Sequence, residues 1–460
     1  MVESMANSVE DYLIDGLSFK LKPGASYVNE RKSVTFHPQG GNHYTTNGVR
    51  VIKLLITGDQ WLDPSTFAVI FNLYNTATDT NKRLRPVSGP HAFFKRMRLL
   101  CNGQIVEDID DYNRVHEMFR MLQPLEKRKN EEVQGFGNVW DVEDHHGNVA
   151  IPGLYESSID DGQYQTVLFK PLAGLLMQPK YIPLRYCPLT LELELVNDVQ
   201  EPLFNKLKTS VEGPYSDSPY TPGETSLEWR IEEVMVKCDV CTLDNALDNS
   251  YAEHLLSGKS LPINYNTFVS QIQSTLSGTA GQKTVRLNIT RAISRLKSVF
   301  VTLYRPTIEA FQNVKTAGRN KFNTFYSPAF NSDRPGAPDA SDEFEFQIQV
   351  GSKLFPEYPI RSHSEAYYQL RKTTGTNDDK FFTNGIGWKS YRSAKFILAI
   401  DTEKVLEAGF TGINTRAGDI LNLRFDHNSG DPRAYAHEMQ VVLHSDNIME
   451  IRDSGITIFD

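Results

Sequence analysis

Cys238 and Cys241 stand at the C-x-x-C spacing at which two thiolates can share a zinc ion or form a redox pair. No second C-x-x-C and no Cys/His pair at a zinc-site spacing accompanies them. Cys238 also keeps phase with Val234, Val236 and Val240, so ordinary strand packing is its expected role. Asp141, Glu143, Asp144, His145 and His146 form the densest run of carboxylate and imidazole donors, but none of their spacings is diagnostic of a ligand set, and a solvated loop is expected. Gly278, Gly281, Lys283 and Thr284 approach a phosphate-binding loop, yet Gln282 precedes the lysine where glycine is required. The residues that follow, Val285 to Ile289, read as a strand and not as the helix N-terminus that holds phosphate. Gly135-Phe136-Gly137 fails the dinucleotide fingerprint because Trp140 occupies the third glycine position. Neither G-x-S-x-G nor H-E-x-x-H occurs. No catalytic, cofactor-binding or metal-ligating residue is assigned, no cofactor is expected, and the chain is not read as an enzyme.

Charged groups lead to the same place. Asp108, Asp110 and Asp111 precede an expected helix, where carboxylates favour the positive end of the helix dipole. Lys127, Arg128 and Lys129 are flanked by Glu126, Glu131 and Glu132, a mixture that reads as a solvated or salt-linked surface. Lys plus Arg is 48 against 57 Asp plus Glu, a net charge of −9, which argues against a surface built to neutralise nucleic-acid phosphates. Before Lys20 the N-terminal segment has Glu3, Glu10, Asp11 and Asp15 and no base, while Val9, Leu13, Ile14 and Leu17 can form one apolar helical stripe suited to docking. Four cysteines are too few for a disulfide scaffold and point to synthesis in a reducing cell interior. Neither a signal-peptide pattern nor an apolar run of membrane-spanning length is present.

The elements that carry these residues are mostly strands. Leu189, Leu191, Leu193 and Leu195 alternate with Thr190, Glu192 and Glu194, and Phe344, Phe346, Ile348 and Val350 alternate with Glu345, Gln347 and Gln349, as half-buried strands require. The same period runs through Phe67 to Leu73, Val234 to Val240, Leu421 to Phe425 and Met439 to Leu443. Helical spacing is scarce. Val115, Met118, Phe119 and Leu122 share one stripe, and Ser362 with Glu365 has capping-box spacing ahead of Tyr367 and Leu370.

These elements recur in order. Val51 to Ile56 and Phe67 to Tyr74 match Val285 to Ile289 and Val299 to Tyr304. Met97 to Cys101 with its Asn102-Gly103 turn matches Phe344 to Val350 with Gly351-Ser352. A short helix follows each turn, Tyr112 to Leu122 and Ser364 to Lys372. Leu189 to Leu195 then matches Leu421 to Phe425, and Val234 to Val240 matches Met439 to His444. Six landmarks in one order predict a duplicated β-sandwich. The connections 126–166, 198–227 and 306–342 are long and rich in Gly, Pro, Asp and Ser, and are expected to project and carry recognition or assembly contacts. The division falls between Leu243 and Leu261, giving a docking segment over 1–24, a first unit over 25–245 and a second over 246–460.

Three stretches carry a resemblance. They are Phe94-Lys95-Arg96-Met97-Arg98-Leu99-Leu100-Cys101-Asn102-Gly103-Gln104-Ile105-Val106-Glu107-Asp108-Ile109 with Asp111-Tyr112; Leu172-Ala173-Gly174-Leu175 with Lys180-Tyr181-Ile182-Pro183-Leu184; and Thr411-Gly412-Ile413-Asn414-Thr415 running on to Ser454-Gly455-Ile456. The chain resembles double jelly-roll major capsid proteins, most nearly those of polinton-like viruses and virophages, from about Phe19 to Ile458. The resemblance implies an all-β fold of two tandem eight-stranded jelly-roll β-sandwiches that stand side by side in a homotrimeric, pseudo-hexameric capsomer tiling the icosahedral shell of a double-stranded DNA virus. It further implies contacts with neighbouring capsomers, penton and minor capsid proteins, no direct nucleic-acid binding, and a place in the virion. The acidic N-terminal segment would touch an inner layer or membrane. The rival reading is a glycan-binding or glycan-cleaving β-sandwich protein, for which Tyr367, Tyr368 and Trp388 are available aromatics but no acid pair is evident.

Overall fold

A computed structural model describes residues 27–80, 82–84, 86, 88–136, 158–203, 226–274, 281–304, 325, 327, 344–376, 385–387, 391–392, 395–404, 412–416, 420–429 and 438–459. The alternating segments pair as two copies of one topology. In the first, β1 (Val28–Phe36), β10 (Trp229–Leu243), β4 (Trp61–Asn75) and β7 (Tyr164–Phe169) form one sheet in that order. The facing sheet runs β3 (Val51–Ile56), β9 (Leu189–Leu195), β5 (Phe94–Cys101) and β6 (Gln104–Asp110). Short β2 (His43–Tyr44) and β8 (Ile182–Pro183) extend the first sheet.

The second copy repeats the order strand for strand. β11 (Leu261–Ser274), β18 (Glu438–Arg452), β13 (Leu296–Tyr304) and β16 (Ile397–Asp401) form one sheet. β12 (Gly281–Ile289), β17 (Leu421–Ser429), β14 (Phe344–Val350) and β15 (Lys353–Ile360) form the other, and β19 (Gly455–Phe459) is added beside β18. Every pair in the four sheets is antiparallel, and, apart from the short β2, β8 and β19, successive strands cross between the two sheets of a sandwich except at the β5–β6 and β14–β15 hairpins, which is the jelly-roll arrangement. All six sequence landmarks occupy equivalent places in the two copies. The chain is thus an all-β double jelly roll.

Both halves of each alternation have work to do. Leu189, Leu191, Leu193 and Leu195 of β9 are fully buried, and each contributes about 1.5–3 kcal/mol by leaving water. The outward Glu192 lies 3.3 Å from Lys53 of β3 and 2.9 Å from Arg98 of β5, while Glu194 lies 3.0 Å from Arg50. These pairs add little energy individually, but they favour the register that keeps the leucines inside. Cys101, at the end of β5, is disulfide-bonded to Cys187, just before β9. One crosslink is not a scaffold, but it is not what synthesis in a reducing cell interior leads one to expect. Cys238 and Cys241 are free and buried in β10, and burial pushes the Cys238 thiol up to about 12, so strand packing holds there.

Two of the helices occupy equivalent places in the two copies. α1 (Tyr112–Met121) follows β6, and α5 (His363–Thr373) follows the equivalent β15. Ser362 caps α5 by accepting from the Glu365 amide at 3.2 Å, while the Glu365 carboxylate accepts from the Arg361 amide at 2.7 Å. α2 (Leu125–Asn130) and α3 (Gly174–Met177) are short. The span between Leu243 and Leu261 folds as α4 (Asn245–Leu256), capped by Asp244 and burying only Leu255. No helix among the described residues is long and apolar enough to cross a membrane.

The three long connections are anchored where they are described, and so do not project along their whole length. Phe136 and Leu203 are buried, Trp229 donates to the Val199 carbonyl at 3.1 Å, and Phe325 and Ser327 lie in the core. Ser327 and His363 share a 2.7 Å hydrogen bond.

Buried histidines make this core acid-sensitive. Burial, reinforced by Lys297, holds His444 down at about 3, and burial with Arg392 holds His363 at about 4. Because their folded-state values lie below the ordinary 6.5, the stabilisation is complete above pH 6.5 and is lost as pH falls toward those values. Unfolding free energy should therefore decline by about 1 kcal/mol per pH unit for each such histidine below pH 6.5. His444→Gln, which retains a partner for Ser298, should flatten the denaturation profile over that range; an unchanged slope would refute the assignment.

Candidate assembly interface

The most elaborate polar chemistry of the chain lies where its two jelly rolls meet. Edge strand β6 and helices α1 and α3 of the first pack against β11, β13 and β18 of the second. Phe119 of α1 contacts Phe268 of β11 and Phe300 of β13 with ring centroids 4.7 and 5.2 Å away, and Phe268 stacks on His444. Arg114 reaches across to Glu438 at 3.3 Å and lies 4.6 Å above the Tyr304 ring, whose hydroxyl donates to Gln440 at 2.9 Å. The apolar stripe of α1 predicts one buried face, but no residue of the helix is exposed. A second jelly roll covers the side that a solitary sandwich leaves in water.

At the centre Tyr265 of β11 donates to the Val106 carbonyl at 3.1 Å. Beside it the Glu107 carboxylate is buried and accepts from the Gly174 and Leu175 amides at 2.8 and 3.2 Å and from the Thr267 hydroxyl. Burial pushes this carboxyl up to about 7, against the opposing pull of its three donors. A Cβ on Gly174 would lie 1.4 Å from the Asn266 carbonyl oxygen, so glycine alone permits α3 to lie on β11. At the periphery Lys180 donates to the Pro262 carbonyl at 2.8 Å, and Trp61 packs on Tyr251 of α4.

Inside the first jelly roll α1 brings together Ser88, His91, Glu117 and Arg120, residue types that could form a hydrolytic triad. Their geometry is structural. Both Ser88 and His91 bond the Glu117 carboxylate, not each other, and all are buried. Burial opposes ionisation of Glu117, but Arg120 and the bonds from His91 and Ser88 prevail and hold it at about 2.

Two sequence expectations require correction here. Arg128 is not solvated. It is buried and donates to the Gly385 carbonyl of the second jelly roll at 3.0 Å, while Lys127 is exposed. Asp108 and Asp111 are not held by the helix alone, though Asp111 does stand at its N-terminus. Asp108 forms a two-pronged pair with Arg96 at 2.7 and 2.6 Å, and Asp111, at the N-cap, pairs with Lys95 and makes no capping bond. Tyr367 packs on Tyr391, leaving Tyr368 exposed. Residues 1–26 and 137–157, Gly278 and Trp388 lie outside the described residues, and with them the acidic N-terminal segment and the Asp141 to His146 run. Among the described residues no group of three or more His, Cys, Asp or Glu could hold a metal ion. A groove of about 370 Å³ beside α4 is lined by Tyr251, His254, Lys259 and the single carboxylate Glu253, where glycoside hydrolysis needs two.

The second jelly roll carries the equivalent of β6 and α1, and among the described residues no other jelly roll covers their outer face. α5 exposes Ser364, Glu365 and Tyr368, and β15 exposes Leu354 and, at 80%, Tyr358. In turn β1, the counterpart of β11, is exposed over most of its length, together with Tyr27. Among the described residues, the elements equivalent to the two sides of the internal contact are thus exposed, β15 and α5 on the second jelly roll and β1 on the first.

No family model matches the chain, and no curated protein matches it. Solved structures do. The chain is similar to one in the cryo-EM structure of the Sputnik virophage, with 9% identity, 98% of this chain and 92% of that chain covered, and a TM-score of 0.61. Against a PBCV-1 protein fitted into a Sputnik reconstruction the values are 10%, 96%, 100% and 0.60, and against the Faustovirus major capsid protein they are 10%, 96%, 93% and 0.56.

Gly174→Ala should destabilise the chain by about 1–3 kcal/mol or more, measured as a shifted denaturation midpoint, because backbone must move. Gly41→Ala, with no neighbour within 4 Å, should change it by less than about 0.5 kcal/mol. Equal effects would show that the close approach at Asn266 does not matter. Two sandwiches joined through β6, α1, α3 and β11 make this chain a double jelly roll, the fold it shares over nearly its whole length with the Faustovirus major capsid protein.

Proposed function

We propose that the chain is a major capsid protein whose copies close into homotrimers and then tile a viral shell. The observation that carries this reading is the pair of open half-interfaces. One chain satisfies β6 and α1 with its own β11, and leaves β15 and α5 at one end and β1 at the other. A head-to-tail contact between those ends repeats the internal contact. Because each chain supplies two similar sandwiches, three chains complete a ring of six, and a closed ring uses every edge once. Permanent interfaces of this kind bury more than about 2,000 Å², enough to cover the edge strand and the outer face of α5.

A six-sided tile made of one polypeptide fits flat icosahedral faces, and weak contacts between tiles add up over many neighbours. The fold likeness to the Faustovirus major capsid protein and to chains of the Sputnik virophage supports the same reading. Its setting is the virion, after synthesis inside the host cell. Penton and minor capsid proteins are the further partners proposed, with the acidic N-terminal segment facing an inner layer and not the genome.

Tyr358→Asp puts a charge on the most exposed large side chain of β15 without touching the core. It should leave the thermal midpoint of the monomer unchanged while lowering the native mass from three times 52.1 kDa toward 52.1 kDa. A variant that remains trimeric would contradict the proposed contact. Deleting Met1 to Gly16 should spare trimers and impair shell formation, and intact shells would remove the segment from assembly.

A further inference from the structure

Glu107 occupies the meeting point of three elements. It lies on β6, its oxygens accept the first amides of α3, and the Thr267 hydroxyl of β11 completes the set from the other jelly roll. No basic side chain is among its partners. Arg96 is taken by Asp108 and Lys95 by Asp111. The groups facing it from the neighbouring elements are the Tyr112 phenol of α1 and the Tyr265 phenol of β11, the latter committed to the Val106 carbonyl. α3 brings no titratable side chain. β5 places Leu99 opposite, and β18 places Ser445 opposite Thr267, between His444 and Asp446, which bond Ser298 and pair with Lys297. Enclosure at the contact without a counter-charge favours the protonated form, and the three donors oppose it without cancelling the cost of the buried charge.

We infer that Glu107 is a protonation-controlled latch setting how tightly the two jelly rolls hold each other. The latch closes with the proton on and loosens when the buried charge forms. Its sign follows from the raised folded-state value. Stabilisation is fully present below the unfolded value of 4.5 and is lost as pH rises through about 7. Local opening of the contact should therefore be roughly fifty- to a hundredfold more frequent at about pH 8 than at about pH 5. The equivalent stretch of the second jelly roll has Phe355, Pro356 and Glu357, and Pro356 has no side-chain charge to gain or lose, so the device belongs to the contact within the chain. It operates whether or not copies of the chain assemble.

Hydrogen exchange of the full chain tests it. Peptides spanning Gly174-Leu175 and Tyr265 to Thr267 are followed from about pH 5 to about pH 8, with intrinsic exchange rates divided out. The wild type should lose protection by the stated factor, and Glu107→Gln, which cannot ionise, should show no such loss. The histidines titrate in both proteins, so the difference between the two isolates Glu107. Thr267→Val removes one donor to the ionised form and should move the wild-type midpoint to higher pH; this variant decides the matter if Glu107→Gln does not fold. Identical pH profiles for wild type and Glu107→Gln, or an unmoved midpoint in Thr267→Val, would overturn the latch.

Discussion

Covering an edge strand and the half-apolar helix beside it is the constraint around which the first half of this chain is organised. β6 and α1 present unpaired backbone, Phe119 and the carboxylate of Glu107 on one side of the first sandwich. The second sandwich covers them with β11, Phe268, Phe300 and Thr267. Once the contact exists, other features become intelligible. Gly174 must lack a side chain, Arg114 must reach Glu438 and the Tyr304 ring, and Arg128 must be buried beside Gly385. Duplication repeats the same edge in the second sandwich, where β15 and α5 are exposed among the described residues.

The two surfaces that remain open differ in chemistry from the one that is closed. The internal contact contains a buried carboxylate, a cation held over an aromatic ring and a glycine in backbone contact. β15 instead carries Pro356 and Pro359, which cannot donate ladder hydrogen bonds and so prevent indiscriminate strand addition, together with exposed Leu354 and Tyr358. Such an edge resists aggregation while leaving apolar surface exposed. The internal contact forms within the chain at any concentration, whereas a contact with another copy would depend on concentration.

Strand identity was legible because burial on one face imposes a period of two, and Leu189 to Leu195 could hardly be read otherwise. The duplicated order was legible for the same reason. Long-range partners were not. The acceptor of Arg128 lies 257 residues away, so a mixed-charge run looked like solvated surface. Asp108 and Asp111 were read against the nearby helix, but their partners Arg96 and Lys95 lie across a hairpin. Glu107 was hidden by a register shift between Leu99 and Leu100, which turns Glu107 inward and leaves Ile105 outside, breaking the alternation. α4 left no stripe to find because it buries one residue. The pairing of Cys101 with Cys187 depends on the β5–β9 register, which no local pattern encodes.

The central claim is that the open edge of the second sandwich is closed by the first sandwich of another copy. Electron microscopy of the purified, unmodified chain tests it most directly. The account predicts particles of pseudo-sixfold outline in which β15 and α5 of one copy lie against β1 of the next, as β6 and α1 lie against β11 within each chain. Particles that remain single chains at high concentration, or oligomers joined through any other surface, would contradict it.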